Sequence, residues 1–418
     1  MKKSSSVISI QVDDQRRLIL PPEIVERYGL VSGTTARLEQ TDTSLNLLVS
    51  ENTPGRVYVE PTNACNLGCR TCMRNNWDEQ LGTMSMQTFE RILSGIKSLS
   101  PIPNVCFGGL GEPLSNPNIQ EMVTRVREIG AEVELITNGT LLSNDVAQWM
   151  VELQLKRLWV SIDGATPESY ADVRLGDKLP EVLANLKGLY KLRKRTGSTL
   201  PKLGIAFVAM KSNLEELPEV VRLGKRLGAD QYSISNVLPH TAALCDEILY
   251  SASMYDTNQQ ILQHSAEISL PRMDLNETTI KSLSETMNGR NAIQFGRKEL
   301  GLGINSCPFM ENNSISIRWD GGISPCLPLL HTHTSYLAEN QRTSYAHIIG
   351  NIQENPLLEI WHGSDYVQLR KRLQEFDFAP CTFCNSCPMA ESNLEDCFGN
   401  IKPACGGCLW AQGFIQCP

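Results

Sequence analysis

The chain has 418 residues, 41% of them hydrophobic and 20% charged, and a formal net charge of -8. Such a length calls for two or three domains, and the composition is that of an ordinary soluble protein. The acidic balance argues against a nucleic-acid binder, which presents a basic face, and no apolar run approaches the ~18 residues of a membrane span.

After Lys2 and Lys3 the stretch SSSVISIQVDD is too polar for a signal peptide, so a cytoplasmic protein is expected. Residues 1–53 read as a small β-rich module. VISIQV alternates like a strand, DDQ turns it, and LILPPEIVERYGL runs from a strand into a short helix with Pro22 in its first turn and Gly29 at its exit. TARLEQ and LNLLVS supply two more short strands. The pattern resembles the AbrB-type swapped-hairpin module of dimeric DNA-binding proteins. Residues 1–56 carry seven basic and seven acidic side chains, however, and phosphate neutralisation drives DNA affinity. The module is therefore expected to form a homodimer or to dock a partner; the plainer alternative is a cap on the next domain.

ENTPGR, Glu51 to Arg56, reads as a linker. From 57 to 238 strand patterns (VYVEP, NVCFGG, VELIT, RLWVSID, LGIAFVA, QYSISNV) alternate with helical ones, which implies a parallel sheet with right-handed crossovers. Six such units are too few for a full eight-stranded barrel. The predicted fold class is α/β, a partial (β/α)6 TIM-type barrel whose site lies at the C-terminal strand ends. Residues 239–305 show no clear strand and are expected to bridge by helices. Residues 306–418 form a cysteine-rich domain.

Fourteen cysteines in a reducing compartment need a reason other than disulfides. Cys65, Cys69 and Cys72 form CxxxCxxC directly after VYVEP. Three thiolates hold three irons of a [4Fe–4S] cluster and leave the fourth iron open to a ligand; the competing reading is a zinc site that borrows a fourth ligand. CNLGCRTC at the end of a first barrel strand resembles the signature of radical S-adenosylmethionine (SAM) enzymes. In that family the open iron chelates SAM, an electron cleaves it to methionine and a 5′-deoxyadenosyl radical, and the radical abstracts hydrogen from a substrate.

The resemblance extends along the chain. GGLGEP (Gly108 to Pro113) follows the second strand and alone is a weak glycine-rich turn. By resemblance Gly109, Gly111 and Glu112 bind the SAM amino group. TNG and SIDG end the next two strands, and Arg174 follows. Asn138, Ser161, Asp163 and Arg174 are then expected at the ribose and carboxylate of SAM; each alone is more often a turn or capping residue. Asn213 is expected to cap a helix, and Cys106 to be a buried strand cysteine. His331 and His333, in LLHTHTS, read as a surface loop with metal binding as the alternative.

The tail, CPFMENNSISIRWDGGISPC onward, carries nine cysteines. Cys307 and Cys326 flank a WDGG hairpin. Cys381, Cys384, Cys387, Cys397, Cys405, Cys408 and Cys417 follow. The opening resembles a SPASM domain, although the usual CxxC-x(5)-C-x(3)-C block is absent. Two auxiliary [4Fe–4S] clusters need eight thiolates and leave one spare; a single cluster or zinc are the alternatives. Trp410 and Phe414 are expected to cover a cluster.

MRNNWDEQLGTMS and CGGCLWAQGFIQCP resemble the SPASM maturases associated with tungsten-cofactor oxidoreductases. The resemblance implies a client oxidoreductase of the tungstopterin type, or its cofactor, and a low-potential electron donor such as ferredoxin or flavodoxin. The alternatives are a maturase of a ribosomally made peptide substrate and an iron–sulfur DNA-binding regulator that uses the first module.

Overall fold

The computed structural model describes residues 11–22, 25, 37–40, 45–48, 53–174, 178–251, 253, 268–271, 273–274, 276–287, 294–295, 306–337, 340–383 and 387–418. The first module contributes two antiparallel pairs, β1 (Gln11–Val12) with β2 (Leu18–Ile19) and β3 (Arg37–Gln40) with β4 (Leu45–Leu48). Asp13 holds the first turn by accepting from the Gln15 and Arg17 amides at 2.9 and 2.8 Å. The expected helix beyond Pro22 lies almost wholly outside the described residues.

From Arg56 the expected alternation is present: β5 (Arg56–Val59), α1 (Met86–Lys97), β6 (Asn104–Phe107), α2 (Ile119–Glu128), β7 (Val133–Thr137), α3 (Asn144–Glu152), β8 (Arg157–Ser161), α4 (Pro167–Arg174), α5 (Leu179–Thr196), β9 (Lys202–Ala209), α6 (Leu217–Arg226) and β10 (Ala229–Asn236). The six strands pair in parallel in sequence order. Local chemistry explains the helices. Ser85 caps α1 by accepting from the Thr88 amide, and Phe89, Ile92, Leu93 and Ile96 form its buried stripe. In β7 the fully buried Val133, Leu135 and Thr137 alternate with half-buried Glu134 and Ile136. Register places Cys106, Glu134 and Arg157 side by side on that second face, where Arg56 pairs with Glu134 at 3.3 Å and Trp159 Nε1 donates to it at 3.3 Å.

The sheet continues past the barrel on both edges. Residues 239–305 were expected to bridge by helices alone. They supply the helix α7 (Glu277–Met287) and two short strands, β11 (Ile268–Leu270) and β12 (Gln294–Phe295), which extend the sheet in parallel beyond β10. On the other edge, β13 (Ser314–Ile317) runs parallel to β5, and β14 (Gly322–Ser324) turns back against it through the predicted WDGG hairpin, Gly321 sitting at φ +91°. The cysteine-rich region thus begins as a seam of the barrel sheet. A separate hairpin, β15 (His333–Leu337) with β16 (Asn340–Ser344), packs outside it, while β17 (Gly350–Asn351) pairs with β14. The C-terminal segment returns across the barrel: the Gln416 amide donates to Ser235 Oγ on β10 at 3.1 Å, and Arg56 on β5 donates to the Pro418 carbonyl at 3.4 Å. No helix among the described residues is long and apolar enough to cross a membrane.

Candidate active site

The chain between β5 and α1 carries Cys65, Cys69 and Cys72. Its path is fixed by Arg74, which donates from Nη1 to the Asn63 carbonyl at 3.1 Å and from Nη2 to the Leu67 carbonyl at 3.0 Å. Arg70 N anchors the loop to the Val173 carbonyl of α4 at 2.8 Å. Each cysteine sulfur then meets one side-chain N–H. Asn138 Nδ2 reaches Cys65 Sγ at 3.8 Å, Arg174 Nη1 reaches Cys69 Sγ at 3.4 Å, and Arg74 Nε reaches Cys72 Sγ at 3.3 Å. These donors come from the loop itself, from the end of β7 and from α4. Burial pushes the Cys65 thiol above its ordinary range; the Leu67 amide and the Arg74 charge work against that rise.

The expected SAM-site residues gather round this loop. Gly109 adopts φ +145°, and a Cβ at Gly111 would lie 2.1 Å from the Thr62 carbonyl oxygen, so the GGLGEP turn docks on the cysteine segment only with glycine there. Glu112, expected at the SAM amino group, also organises the strand ends around it. Its Oε1 accepts from the Thr137 hydroxyl at 2.7 Å and the Leu114 amide at 3.1 Å, and its Oε2 accepts from the Asn138 amide at 2.7 Å. Burial raises its carboxyl above the usual range, against those donors. Asp163 is fully buried and pairs with Arg174 at 2.5 Å, so Arg174 bridges a carboxylate and the Cys69 sulfur. Ser161 stands half-buried at the end of β8. Asn213 does not cap its helix; it accepts from the Met210 amide at 2.8 Å and donates to the Asp163 and Val208 carbonyls, tying β8 to β9.

Sequence reasoning missed a second buried group at the same strand ends. His331 is buried rather than on a surface loop. Its Nε2 donates to Glu60 at 2.8 Å and its Nδ1 to Glu79, while the Trp77 ring meets it edge-on at 4.5 Å. Glu60 also accepts from the Leu110 amide at 3.1 Å, beneath the GGLGEP turn. Burial opposes a charge on His331, but hydrogen bonds to the two carboxylates outweigh it and hold its pKa at about 9. His333, buried without such partners among its charged neighbours, falls to about 4. A polar strand end such as VYVEP could have pointed to Glu60; nothing local pointed to His331.

The tail cysteines divide. Cys307, Cys326, Cys405 and Cys408 line one cavity of about 50 Å³ together with Leu329, Leu409 and Trp410. Burial raises all four thiols, Cys307 to about 12, and their mutual proximity raises Cys307, Cys326 and Cys405 further. Backbone amides of Phe309 and Met310, at the start of the one-turn helix α8 (Pro308–Glu311), point at Cys307; those of Trp410 and Ala411 point at Cys408. Four converging thiols in an apolar cavity suit a closed cluster. Cys381 and Cys387 pack together around Ala379 and Ala390. Asp396, next to the exposed Cys397, accepts from the Ala379 amide at 3.0 Å. Cys384 lies outside the described residues. Cys417 has Cys106 among its neighbours on the barrel wall, Cys106 being buried in β6 as expected. Trp410 covers the four-cysteine cavity, and Phe414 stacks on Tyr250 at 4.9 Å. Among the described residues no three His, Cys, Asp or Glu side chains are gathered round a single ion position; a cluster, with one thiolate to each iron, spreads its ligands.

Comparison with known proteins covers both cysteine regions. The model of the radical SAM superfamily matches residues 59–224, and that of an iron–sulfur cluster-binding (SPASM) domain matches residues 307–388. The chain is 30% identical to the tungsten-containing aldehyde ferredoxin oxidoreductase cofactor-modifying protein of Pyrococcus furiosus over 87% of this chain and 96% of that one. It is 24% identical to an AdoMet-dependent heme synthase of Oleidesulfovibrio alaskensis over 85% and 82% of the two chains. Among solved structures, Streptococcus suis SuiB bound to precursor peptide SuiA superposes with a TM-score of 0.53 at 16% identity, covering 76% of this chain and 67% of that one. Native anSMEcpe with bound AdoMet gives 0.52 at 16% identity, covering 86% and 95%.

Proposed function

This chain belongs to the radical SAM superfamily and carries its SPASM iron–sulfur extension; from that premise we propose that its SAM-derived radical modifies a polypeptide client. It is an enzyme, and the observation that carries the assignment of its centre is the set of three sulfurs, Cys65, Cys69 and Cys72, each held by one side-chain N–H at the C-terminal strand ends. Cys65, Cys69 and Cys72 would hold a [4Fe–4S] cluster, which when bound would supply the electron for cleavage of SAM to methionine and a 5′-deoxyadenosyl radical. The protein's own contribution is placement. Arg74 clamps the cysteine loop, and Glu112 sets the Thr137–Asn138 turn that holds Cys65. The Asp163–Arg174 pair fixes the donor to Cys69 and closes the site on the α4 side. Gly109 and Gly111 let the SAM-facing turn lie against the cysteine segment.

A polypeptide client is supported by the shared architecture with peptide-bound SuiB, a fold-level analogy. The near full-length match to the tungsten oxidoreductase cofactor-modifying protein favours a finer reading, in which the client is a tungstopterin oxidoreductase or its cofactor. The test uses the full chain, reconstituted anaerobically with iron and sulfide and reduced with dithionite. It should release 5′-deoxyadenosine from SAM. Adding an apo tungsten oxidoreductase should raise that yield and change the mass of the polypeptide. A mass change confined to the extracted pterin would make the cofactor the substrate, and no change in either would sink the tungsten reading while leaving SAM cleavage intact.

A further inference from the structure

His331 stands just before β15 in the cysteine-rich region, and its side chain is fully buried. Its Nε2 donates to Glu60 at 2.8 Å and its Nδ1 donates to Glu79. Each carboxylate holds a different piece of the SAM site. Glu60, at the end of β5, accepts from the Leu110 amide at 3.1 Å, and a Cβ on Gly109 would stand 2.7 Å from Glu60 Cγ, so the GGLGEP turn rests directly on that side chain. Glu79 belongs to the segment that leaves the cysteine loop after Cys72, and it accepts from the Thr332 amide at 3.0 Å. Trp77 of the same segment meets the imidazole edge-on at 4.5 Å. Asn63 Nδ2 donates to the Gln80 carbonyl at 3.0 Å and ties the segment back to the start of the cysteine loop.

Only the imidazolium can serve both carboxylates, because it alone carries an N–H on each ring nitrogen. The two acceptors hold its pKa at about 9 against burial, so the double tie is present below that pH and lost above it. The other ionisable groups nearby are His333, which burial keeps neutral with a pKa of about 4, and Arg318, which pairs with Asp320 at 2.6 Å and adds its charge near both carboxylates. A neutral ring keeps one N–H and turns a lone pair to the other carboxylate. Glu60 is wholly buried, whereas the Glu79 side chain is 23% exposed and can turn to solvent. The remaining N–H therefore stays with Glu60, and the segment carrying Trp77 and Glu79 is the part released.

We propose that His331 is a positioning residue for SAM: its imidazolium ties the GGLGEP turn and the segment after Cys72 to the cysteine-rich region, and SAM affinity falls when the ring loses its proton. The inference rests on the SAM site proposed above and deepens it. The step is a single ionisation, in which one ring proton passes to solvent. Glu60→Gln removes the need for that proton. Its Oε1 still serves the Leu110 amide and its amide N–H donates to a neutral Nε2, while Nδ1–H keeps Glu79.

The experiment is SAM-binding calorimetry on the full chain, reconstituted anaerobically with iron and sulfide, from pH 7 to pH 10. SAM's own amino group titrates alike for every variant, so affinities are read at each pH as ratios to Glu60→Gln. The wild-type ratio should fall about tenfold across the range, the loss of one charge-assisted hydrogen bond. His331→Gln should start about tenfold low and stay constant. Exchange of the Thr332 amide hydrogen, followed by mass spectrometry at pH 7.5, reports Glu79 without SAM and should be faster in His331→Gln than in the wild type. If His331→Gln does not hold iron, the wild type and Glu60→Gln decide the matter between them. A constant wild-type ratio, or unaltered Thr332 exchange, overturns the role of His331 and leaves the SAM site standing. Failure of the iron-replete wild type to bind SAM at pH 7 overturns the site itself and the inference with it.

Discussion

Around Cys65, Cys69 and Cys72 every sulfur meets a side-chain N–H, two of the three from arginines, whereas in the apolar cavity of the second group backbone amides do that work at Cys307, Cys326 and Cys408. Backbone donors are fixed once α8 and the Cys408 turn form, so the second group is a finished box with four thiols. The first group has three thiols, and its donors arrive from separate elements: Arg74 from the loop, Asn138 from the end of β7, Arg174 from α4. The difference teaches how one fold keeps two kinds of cysteine site apart. A closed set buried under Trp410 suits holding an electron. An open set at the strand ends, adjustable through its side chains, suits meeting a substrate.

The comparison breaks if the two sites are not independent. Replacing Cys65, Cys69 and Cys72 together by Ala should abolish 5′-deoxyadenosine formation completely and leave about eight of about twelve irons. Residual SAM cleavage in that protein would place the open cluster elsewhere. Cys326→Ala should do the reverse: iron content should fall by about four, a third of the total, while client-free SAM cleavage persists. Iron analysis and chromatography of the nucleoside product read both. Loss of all iron on the Cys326 change would mean that the two regions assemble as one.

What could be read in the chain was local. The strand–helix alternation, the CxxxCxxC loop after VYVEP and the WDGG hairpin are each set by neighbours in sequence, and each is found where expected. The division of the tail cysteines was not readable, because Cys307 and Cys326 close on Cys405 and Cys408 across 79 to 101 residues, with Arg342 beside them. His331 was misjudged for the same reason: HTHT looks like a polar loop, and its partners Glu60 and Glu79 are 271 and 252 positions away. The strands β11 and β12 have three and two residues, too few for a periodic signal. Cys417, read as a ligand from its place in the tail's cysteine run, lies beside Cys106 where the C-terminus returns to the barrel, a neighbour 311 positions away that no local spacing shows.

His331 joins the compared regions, since Glu60 and Glu79 flank the open cysteine loop and His331 belongs to the cysteine-rich region. Its folded pKa of about 9 lies above the ordinary 6.5. The stabilisation is therefore fully present below pH 6.5 and is lost as pH rises through about 9. A shift of that size corresponds to roughly 3 kcal/mol. Glu60 and Glu79 meet the two ring nitrogens and His333 lies beside it; against burial, the hydrogen bond and charge of His331 hold the Glu79 carboxyl below its usual range. Anaerobic denaturation from pH 6.5 to 10 should show the wild type weakening towards the alkaline end and His331→Gln flat over the same range. A flat wild-type profile would mean that the imidazole is neutral and the joint between the regions is held by packing alone.

The smallest effect, and the one that sharpens the comparison most, concerns Glu112. If the open site is built from adjustable side chains, loosening one of them should weaken SAM binding without touching the closed site. Glu112→Ala removes the acceptor for the Thr137 hydroxyl and for the Leu114 and Asn138 amides. The hydroxyl can turn to another partner, but two amide groups lose theirs, at a cost of about 2 kcal/mol. Part of that loss falls on Asn138, whose Nδ2 holds Cys65. SAM affinity measured by calorimetry on reconstituted protein should drop about tenfold, equivalent to ~1.4 kcal/mol, with iron in the tail unchanged. Glu112→Gln separates positioning from direct contact. Its remaining carbonyl oxygen can still serve the Leu114 amide and the Thr137 hydroxyl, so a positioning role gives an intermediate affinity. A direct charge on the SAM ammonium group would instead make Gln as damaging as Ala. Unchanged affinity in both variants would reduce the GGLGEP turn to a structural corner, and the open site would then rest on its sulfurs and arginines alone.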